Sequence, residues 1–259
     1  MRVRVITATF GDSALIGETV RSVRALAAPL HYVIVCPERR LVRLGLEFPY
    51  CRIVQESGPG LYTALNTGFH TGEPDDCFTW INDDDLLTPE FDRALARLAG
   101  DPSLDAVYGR VALMDGRRVP LGELPIARRP EDLLALLAGG IMPLAQPGTI
   151  FRWRALRRIG TFDPAYRMAG DLDYFVRALQ AGLRFGFHDG VVARFRLHNF
   201  QLSKDRQTAA IEHARAIAPI PAQPTFRAKC RFRWDNRQVY WQRIRQHGFV
   251  NMNELYGHG

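Results

Sequence analysis

The sequence predicts an α/β fold: a mostly parallel sheet flanked by helices, with a small antiparallel hairpin element and a basic helical C-terminal extension. Three observations predict it. Through the first hundred residues, short apolar runs alternate with segments of helical periodicity, the signature of successive βα units. Past Asp105 this alternation gives way to two strand-like runs around an Asp115-Gly116 turn signal. Beyond a proline-containing stretch at 216–224 the chain becomes basic and aromatic.

Residues 3–7 form the first predicted strand. The polar loop 8–13 then leads into a helix on which Leu15, Ile16, Val20, Val23 and Leu26 share a face. Strands two and three fall at 31–36 and 52–55. After Ser57-Gly58-Pro59-Gly60 a short helix carries Leu61, Ala64 and Leu65 and stops at Gly68, where glycine accepts a left-handed cap. Strand four, residues 77–81, ends on Asn82-Asp83-Asp84-Asp85, and Thr88, Pro89 and Glu90 open the next helix. This order delivers the acidic triplet to the carboxyl edge of the sheet. A hairpin pairing 106–114 with 118–121 follows, then a helix at 131–138, a strand at 149–153 and a helix after Asp171.

With 259 residues, 47% apolar and 24% charged, the chain has an ordinary globular composition and can bury one large core or two small ones. Cys36, Cys51, Cys77 and Cys230 form no Cys-x-x-Cys pair, and three of them lie in apolar strand-like runs. That usage points to a reducing, cytoplasmic compartment without structural zinc. The N-terminus starts directly in a strand pattern and lacks the apolar core and cleavage site of a secretory signal. The longest uncharged stretch, 133–151, is interrupted by Gly139, Gly140, Pro143, Pro147 and Gly148, which argues against a spanning helix and leaves peripheral membrane contact.

The net charge of +7 is unevenly placed. Seven Arg and Lys residues face only Asp235 between Phe226 and His247, so six of the seven net charges lie there. Phe226, Phe232, Trp234, Tyr240 and Trp241 are interleaved with them. Such a segment suits an anionic membrane surface or a nucleic-acid backbone, or forms a solvated helix docked on the main domain.

Asp83, Asp84 and Asp85 repel one another, and a cluster of this kind persists when well solvated or when a cation neutralises it. Oxygen ligands suit Mg²⁺ or Mn²⁺, with substrate phosphates completing the shell; the alternative is an acidic loop ahead of a helix start. Asp171 precedes Leu172, Phe175, Val176 and Leu179 on one helix face. It reads as an N-terminal cap or as an oriented general base, while Asp173 and Arg177 are spaced for an ion pair. Gly58-Pro59-Gly60 before a helix lets backbone N–H groups approach a diphosphate, although it matches neither a Walker loop nor a dinucleotide fingerprint. Thr7 and Thr9, at the end of strand one, are candidates to hydrogen-bond a nucleotide. His198 reads as a structural histidine or a ligand.

In this order the segments resemble the family 2 glycosyltransferases of the GT-A, Rossmann-like fold, particularly bacterial members that build surface polysaccharides, over residues 1–203. Four segments carry the resemblance: 5–10, the opening strand and base-binding loop; 60–68, Gly-Leu-Tyr-Thr-Ala-Leu-Asn-Thr-Gly; 80–87, the strand with its Asp-x-Asp motif; and Gly160-Thr161-Phe162-Asp163 through Asp171-Leu172-Asp173 to Arg177. The resemblance implies a nucleotide-sugar-binding half over 1–100 and an acceptor-side half over 101–205, with 206–259 as the basic aromatic extension.

It also implies an inverting, metal-dependent transfer from a nucleoside diphosphate sugar, UDP-sugar first, to a saccharide or lipid-linked saccharide acceptor. The implied roles are Asp171 as base, Asp83 and Asp84 beside ribose and diphosphate, Asp85 with Asp83 on Mn²⁺ or Mg²⁺, and His198 as a further metal or diphosphate contact. Thr7, Thr9, Glu38, Gly60 and Asn66 are implied on the donor side. The implied site of action is cytoplasmic, at the inner face of the cell membrane. Two departures stand out. Cys36-Pro37-Glu38 replaces the usual acidic pair after strand two, leaving Glu38 alone for the base, and Thr63 and Thr67 replace the common Asp and Lys of the glycine-bounded segment. The rival readings are a nucleotidyltransferase, which lacks its basic glycine-rich activation loop here, and a non-catalytic nucleotide-sugar or nucleic-acid binding module.

Overall fold

A computed structural model of the chain describes residues 1–197, 205–221 and 225–247. Strands β1 (Val3–Ala8), β2 (Leu30–Cys36), β3 (Arg52–Gln55) and β4 (Cys77–Trp80) form the parallel part of one sheet in the order β3-β2-β1-β4. Helices α1 (Ile16–Arg24), α2 (Leu41–Glu47) and α3 (Leu61–Phe69) make the crossovers. These are the βα units expected from the alternation, together with α2, which the pattern had not marked.

The second half is mixed. Two-residue β5 (Leu86–Leu87) and α4 (Glu90–Gly100) precede the hairpin β6 (Ala106–Asp115) and β7 (Pro120–Glu123). Next come α5 (Leu133–Ala138), β8 (Ile150–Arg152), α6 (Trp153–Ile159), α7 (Gly170–Gln180) and the thirteen-residue β9 (Phe185–Leu197). The sheet continues β4-β8-β6-β9-β5: β8 is antiparallel to both neighbours, β6 and β9 are parallel, and β5 is antiparallel to β9. The predicted hairpin forms, with Arg118 in the left-handed region at φ 68° in its turn.

The period of two along β1 distributes the core. Val3 and Val5 face the layer of Ile16, Val20 and Val23 from α1 and Phe91 and Leu95 from α4, whereas Ile6 faces the opposite layer. That second layer is aromatic: Trp80, Phe151, Phe162, Tyr174 and Phe175 lie within ring-contact distance of one another. Such rings bury large area with few torsions to freeze, so this side fixes the positions of α3 and α7.

The C-terminal extension is helical, as expected: α8 (Arg206–Ile217), α9 (Phe226–Asp235) and α10 (Arg237–His247). Ala216, Ala228 and Phe232 join the aromatic-side core. The Asn236 carboxamide accepts Ile126 N–H and donates to Ile126 C=O, both at 3.0 Å, and Arg231 pairs with Asp132. One side of the extension is therefore docked on the domain. Among the described residues no helix is long and apolar enough to cross a membrane.

Candidate active site

The carboxyl edge of the parallel strands collects most of the candidate residues. At the end of β4 the chain runs through Asn82-Asp83-Asp84-Asp85, and its backbone is held from several sides. Gln146 donates to Trp80 C=O at 2.5 Å, Thr19 to Asp85 C=O at 2.8 Å, and the guanidinium of Arg196 to Asp84 C=O at 2.8 Å. Arg196 is wholly buried on β9 and also reaches Glu18 at 2.6 Å and Gly116 C=O at 3.0 Å. Its charge is thus spent on fixing the acidic loop. Sequence reading missed it, because an arginine in a strand ordinarily faces solvent; its place two residues before His198 was the available signal.

The three aspartates differ. Asp85 is 0% exposed; its Oδ1 accepts Arg196 N–H at 2.8 Å and its Oδ2 accepts the Asn82 side-chain N–H at 3.1 Å. Burial, then the neighbouring Asp84 charge, pushes its carboxyl well above the usual range against these hydrogen bonds. Each Asp85 oxygen thus holds one N–H donor inside the fold and keeps a further lone pair, and the carboxylate is the most enclosed of the three. Asp83 is half-buried and accepts the Thr9 hydroxyl, and Asp84 sits beside it at 8% exposure. Asp83 and Asp84 are the less enclosed members of the triplet. Among the described residues no group of three His, Cys, Asp or Glu is arranged to hold a metal by itself. His198 lies outside the described residues.

The donor-side candidates divide in the same way. Thr9 is at the edge, where its hydroxyl also accepts Gly11 N–H at 2.9 Å. Thr7, by contrast, is completely buried, its hydroxyl paired with Tyr32 at 3.0 Å inside the sheet packing, and does not reach the site. Glu38 is exposed in a 3₁₀ turn directly after β2. Gly60 caps α3 at φ 105°, a conformation that favours glycine, with no side chain bonded to the first N–H groups of the helix. Asn66 has a different task from the one expected. Its carboxamide accepts Phe162 N–H at 3.0 Å and donates to Phe162 C=O at 2.9 Å, stapling the loop before α7 to α3. A surface cavity of 520 Å³ lies on the outer side of α3 between Arg52, Thr63, His70 and Pro164, and none of the aspartates lines it.

Asp171 lies in the first turn of α7 and not ahead of it, half-buried. Its Oδ1 accepts Leu172 N–H at 2.8 Å and the more distant Tyr62 hydroxyl at 3.5 Å, whereas Oδ2 receives no hydrogen bond from the described residues. Burial raises its carboxyl above the ordinary value against the Leu172 N–H and the charge of His213. Tyr62 donates to Met168 C=O at 2.8 Å and accepts Asp171 N–H at 3.3 Å; burial keeps its phenol protonated for that work. Gly170 is where the chain passes the Tyr62 ring, since a Cβ there would lie 2.7 Å from ring carbons.

From α8, Glu212 accepts the N–H groups of Arg167, Met168 and Ala169 at 2.8, 2.8 and 2.9 Å, so one carboxylate grips the three residues before Gly170. The predicted Asp173–Arg177 pair forms at 2.8 Å, and Arg177 also donates to Ile159 and Thr161 C=O. Neither Tyr62 nor Glu212 was assigned a role from sequence. The ring of Phe162 touches Trp80, three residues before Asp83, at a centroid distance of 4.8 Å, and Tyr62 at 5.3 Å. The loop before α7 is therefore packed against the end of the strand that leads into the triplet.

Comparison with known proteins bears on the family and the fold. A sequence model of the family described as "Glycosyltransferase like family 2" matches residues 2–236, extending past the predicted domain end at 205. No curated protein sequence matches the chain. Among solved structures, residues 1–349 of S. aureus TarS in complex with UDP-GlcNAc superpose with a TM-score of 0.63 at 16% identity, over 98% of this chain and 78% of the other. The chain covers 45% of another S. aureus TarS structure, with a TM-score of 0.59 at 15% identity. The mannosyltransferase PcManGT from Pyrobaculum calidifontis, in complex with GDP-Man and Mn²⁺, gives 0.58 at 19% identity over 98% and 77%. At these identities the likeness is one of fold.

Proposed function

The chain belongs to glycosyltransferase-like family 2, and from that premise we propose that it transfers a sugar from a nucleoside diphosphate sugar to an acceptor hydroxyl with inversion. Its fold is of the GT-A type and its class of activity is glycosyl transfer. The observation that carries the inverting reading is Asp171, with one oxygen anchored, the other open, and its carboxyl raised by burial. A base so oriented takes a proton efficiently. In the proposed step the acceptor oxygen attacks the anomeric carbon on the face opposite the nucleoside diphosphate. The new C–O bond forms as the bond to the diphosphate oxygen breaks, and the acceptor proton passes to Asp171 Oδ2.

We assign the divalent cation, Mn²⁺ or Mg²⁺, to Asp83 and Asp84 and not to Asp85, because Asp85 is enclosed and hydrogen-bonded through both oxygens. When bound there, such an ion supplies positive charge for the departing diphosphate. Thr9 orients Asp83, and Glu38 and the N–H groups after Gly60, which no side chain caps, are the donor-side contacts we assign. UDP-sugar is our first donor, supported by the TarS neighbour bound to UDP-GlcNAc; a GDP-sugar is second, supported by the neighbour bound to GDP-Man. The acceptor we propose is a saccharide or lipid-linked saccharide of a bacterial surface polysaccharide or glycolipid, elongated in the cytoplasm.

The test pairs a thermal-shift screen of UDP, GDP, dTDP and CMP, with and without Mn²⁺, with the Asp171→Asn variant. A donor nucleotide raises Tm by mass action. The variant keeps that shift and loses about a thousandfold in transfer rate, within the usual range for removing a general base. An Asn variant that still transfers sugar sinks the assignment of the base.

A further inference from the structure

We propose that the outward face of α9 and α10 is a docking surface for an anionic lipid bilayer. The two helices follow one helical path: across their junction Asn236 N–H donates to Phe232 C=O and Asn236 C=O accepts Tyr240 N–H, both at 3.1 Å. With one period running through 226–245, side chains sort cleanly by angle. Ala228, Phe232, Asn236 and Arg243 point inward and are buried, Arg243 donating to Glu123 C=O at 2.6 Å. On the opposite side Phe226, Trp234 and Trp241 are 81%, 67% and 61% exposed, an unusual state for large aromatic groups on a helix that already has an apolar inner face.

Arginines share that outer side: Arg233, Arg237 and Arg245 are all exposed, and Arg237 lies 4.6 Å over the Trp234 ring. The acidic residue of the segment, Asp235, is turned back toward Arg129 at 3.9 Å and leaves the outer side uniformly cationic. Cations alone would fit any polyanion. Aromatic rings interspersed with arginines on one face of a helix match the headgroup region of a bilayer, where indoles sit between water and acyl chains while guanidinium groups meet phosphates. The aromatic groups decide for lipid over nucleic acid, because they are spread along the outer side of two helices in line, alternating with arginines as in a helix that lies in the plane of a bilayer interface. This inference is independent of the proposed active site, and it places any lipid-linked acceptor on the same surface as the enzyme.

The experiment uses the full chain and sedimentation with phosphatidylcholine vesicles with or without phosphatidylglycerol, alongside a single-stranded oligonucleotide as competitor. We expect binding to the anionic vesicles alone, weakened by raised salt because the attraction is screened. Arg233→Ser with Arg237→Ser weakens it about thirtyfold, from about a fivefold contribution per surface arginine. Trp234→Ser with Trp241→Ser weakens it as well without lowering Tm, since both rings are exposed. In the unmodified protein, lipids brominated near the headgroup quench part of the tryptophan emission. Equal binding to neutral and anionic vesicles, unchanged binding in both double variants, or an oligonucleotide that binds more tightly than the vesicles at the same salt overturns the proposal.

Discussion

Replacing Glu212 by glutamine measures how firmly α8 holds the segment that ends on Asp171. The carboxylate is 8% exposed and takes three backbone N–H groups at 2.8 to 2.9 Å. Hydrogen bonds to a charged acceptor contribute about 1.5–3 kcal/mol each, but three that share two oxygens on adjacent amides do not add, and water recovers part of the loss. A net destabilisation of about 3 kcal/mol follows, and in a chain of this size it lowers Tm by roughly 6–12 °C. Glutamine retains one acceptor oxygen and turns an N–H toward a backbone donor, so it does no better than alanine.

The pH dependence has a definite sign. Burial alone would raise the Glu212 carboxyl, but the N–H groups of residues 167–169 and the charge of Arg167 outweigh it and hold the group below its ordinary value. The unfolded chain therefore binds this proton first. The stabilisation is complete above the ordinary glutamate range and is lost as pH falls through the lowered folded-state value, so the gap in Tm between wild type and variant closes on acidification. Calorimetry over pH gives the gap directly, and steady-state kinetics adds a second reading: kcat drops about tenfold or more while donor affinity is retained, because Asp171 and not the donor side is displaced. A variant that melts within about 2 °C of wild type at neutral pH, with unchanged kcat, refutes the reasoning.

The Asp171 carboxyl, raised by burial, must lose its proton to act, so transfer rises with pH through a value above the ordinary aspartate range; a pH–rate profile of kcat/KM already flat at the ordinary aspartate value contradicts this. Asp84→Asn should abolish the Mn²⁺-dependent thermal shift given by UDP while Asp85→Asn retains it, and the reverse pattern returns the cation to Asp85. Gly170→Ala places a methyl 2.7 Å from the Tyr62 ring, which costs about 1–3 kcal/mol of overpacking and lowers Tm and kcat together; an alanine variant with wild-type Tm and kcat shows that the ring moves freely aside.

The parallel half was legible in the sequence because its longer strands are apolar runs closed by a turn, as in Val33 to Cys36 before Pro37. The mixed half was legible in part: the hairpin, α5, β8 and α7 were expected, whereas β5, α6, the long β9 and the order of the strands were not. β5 offers two residues, and the parallel pairing of β6 with β9 joins partners 79 to 82 positions apart in sequence, which no local pattern encodes. The site follows the same division. Asp83, Asp171 and Gly60 could be found from their place at element ends, since polar residues there face the sheet edge. Thr7 is one residue inside that edge, and the pleat carries its hydroxyl to Tyr32. Asn66, Tyr62, Arg196 and Glu212 act through partners 43 to 178 residues away in sequence, and only the packed chain brings them together. The enclosure of Asp85 was hidden for the same reason: its two N–H donors include one from β9.

The staple between Asn66 and Phe162 makes the donor-side and acceptor-side loops a single mechanical unit. A chimera that exchanges 160–171 for the equivalent stretch of a relative, while keeping its own α3, brings in a loop whose backbone must still meet the Asn66 carboxamide and whose ring must still fill the space between Trp80 and Tyr62. The exchangeable module is therefore α3 together with that loop. New acceptor preferences are best sought by grafting both at once and leaving the strand that carries the acidic triplet untouched.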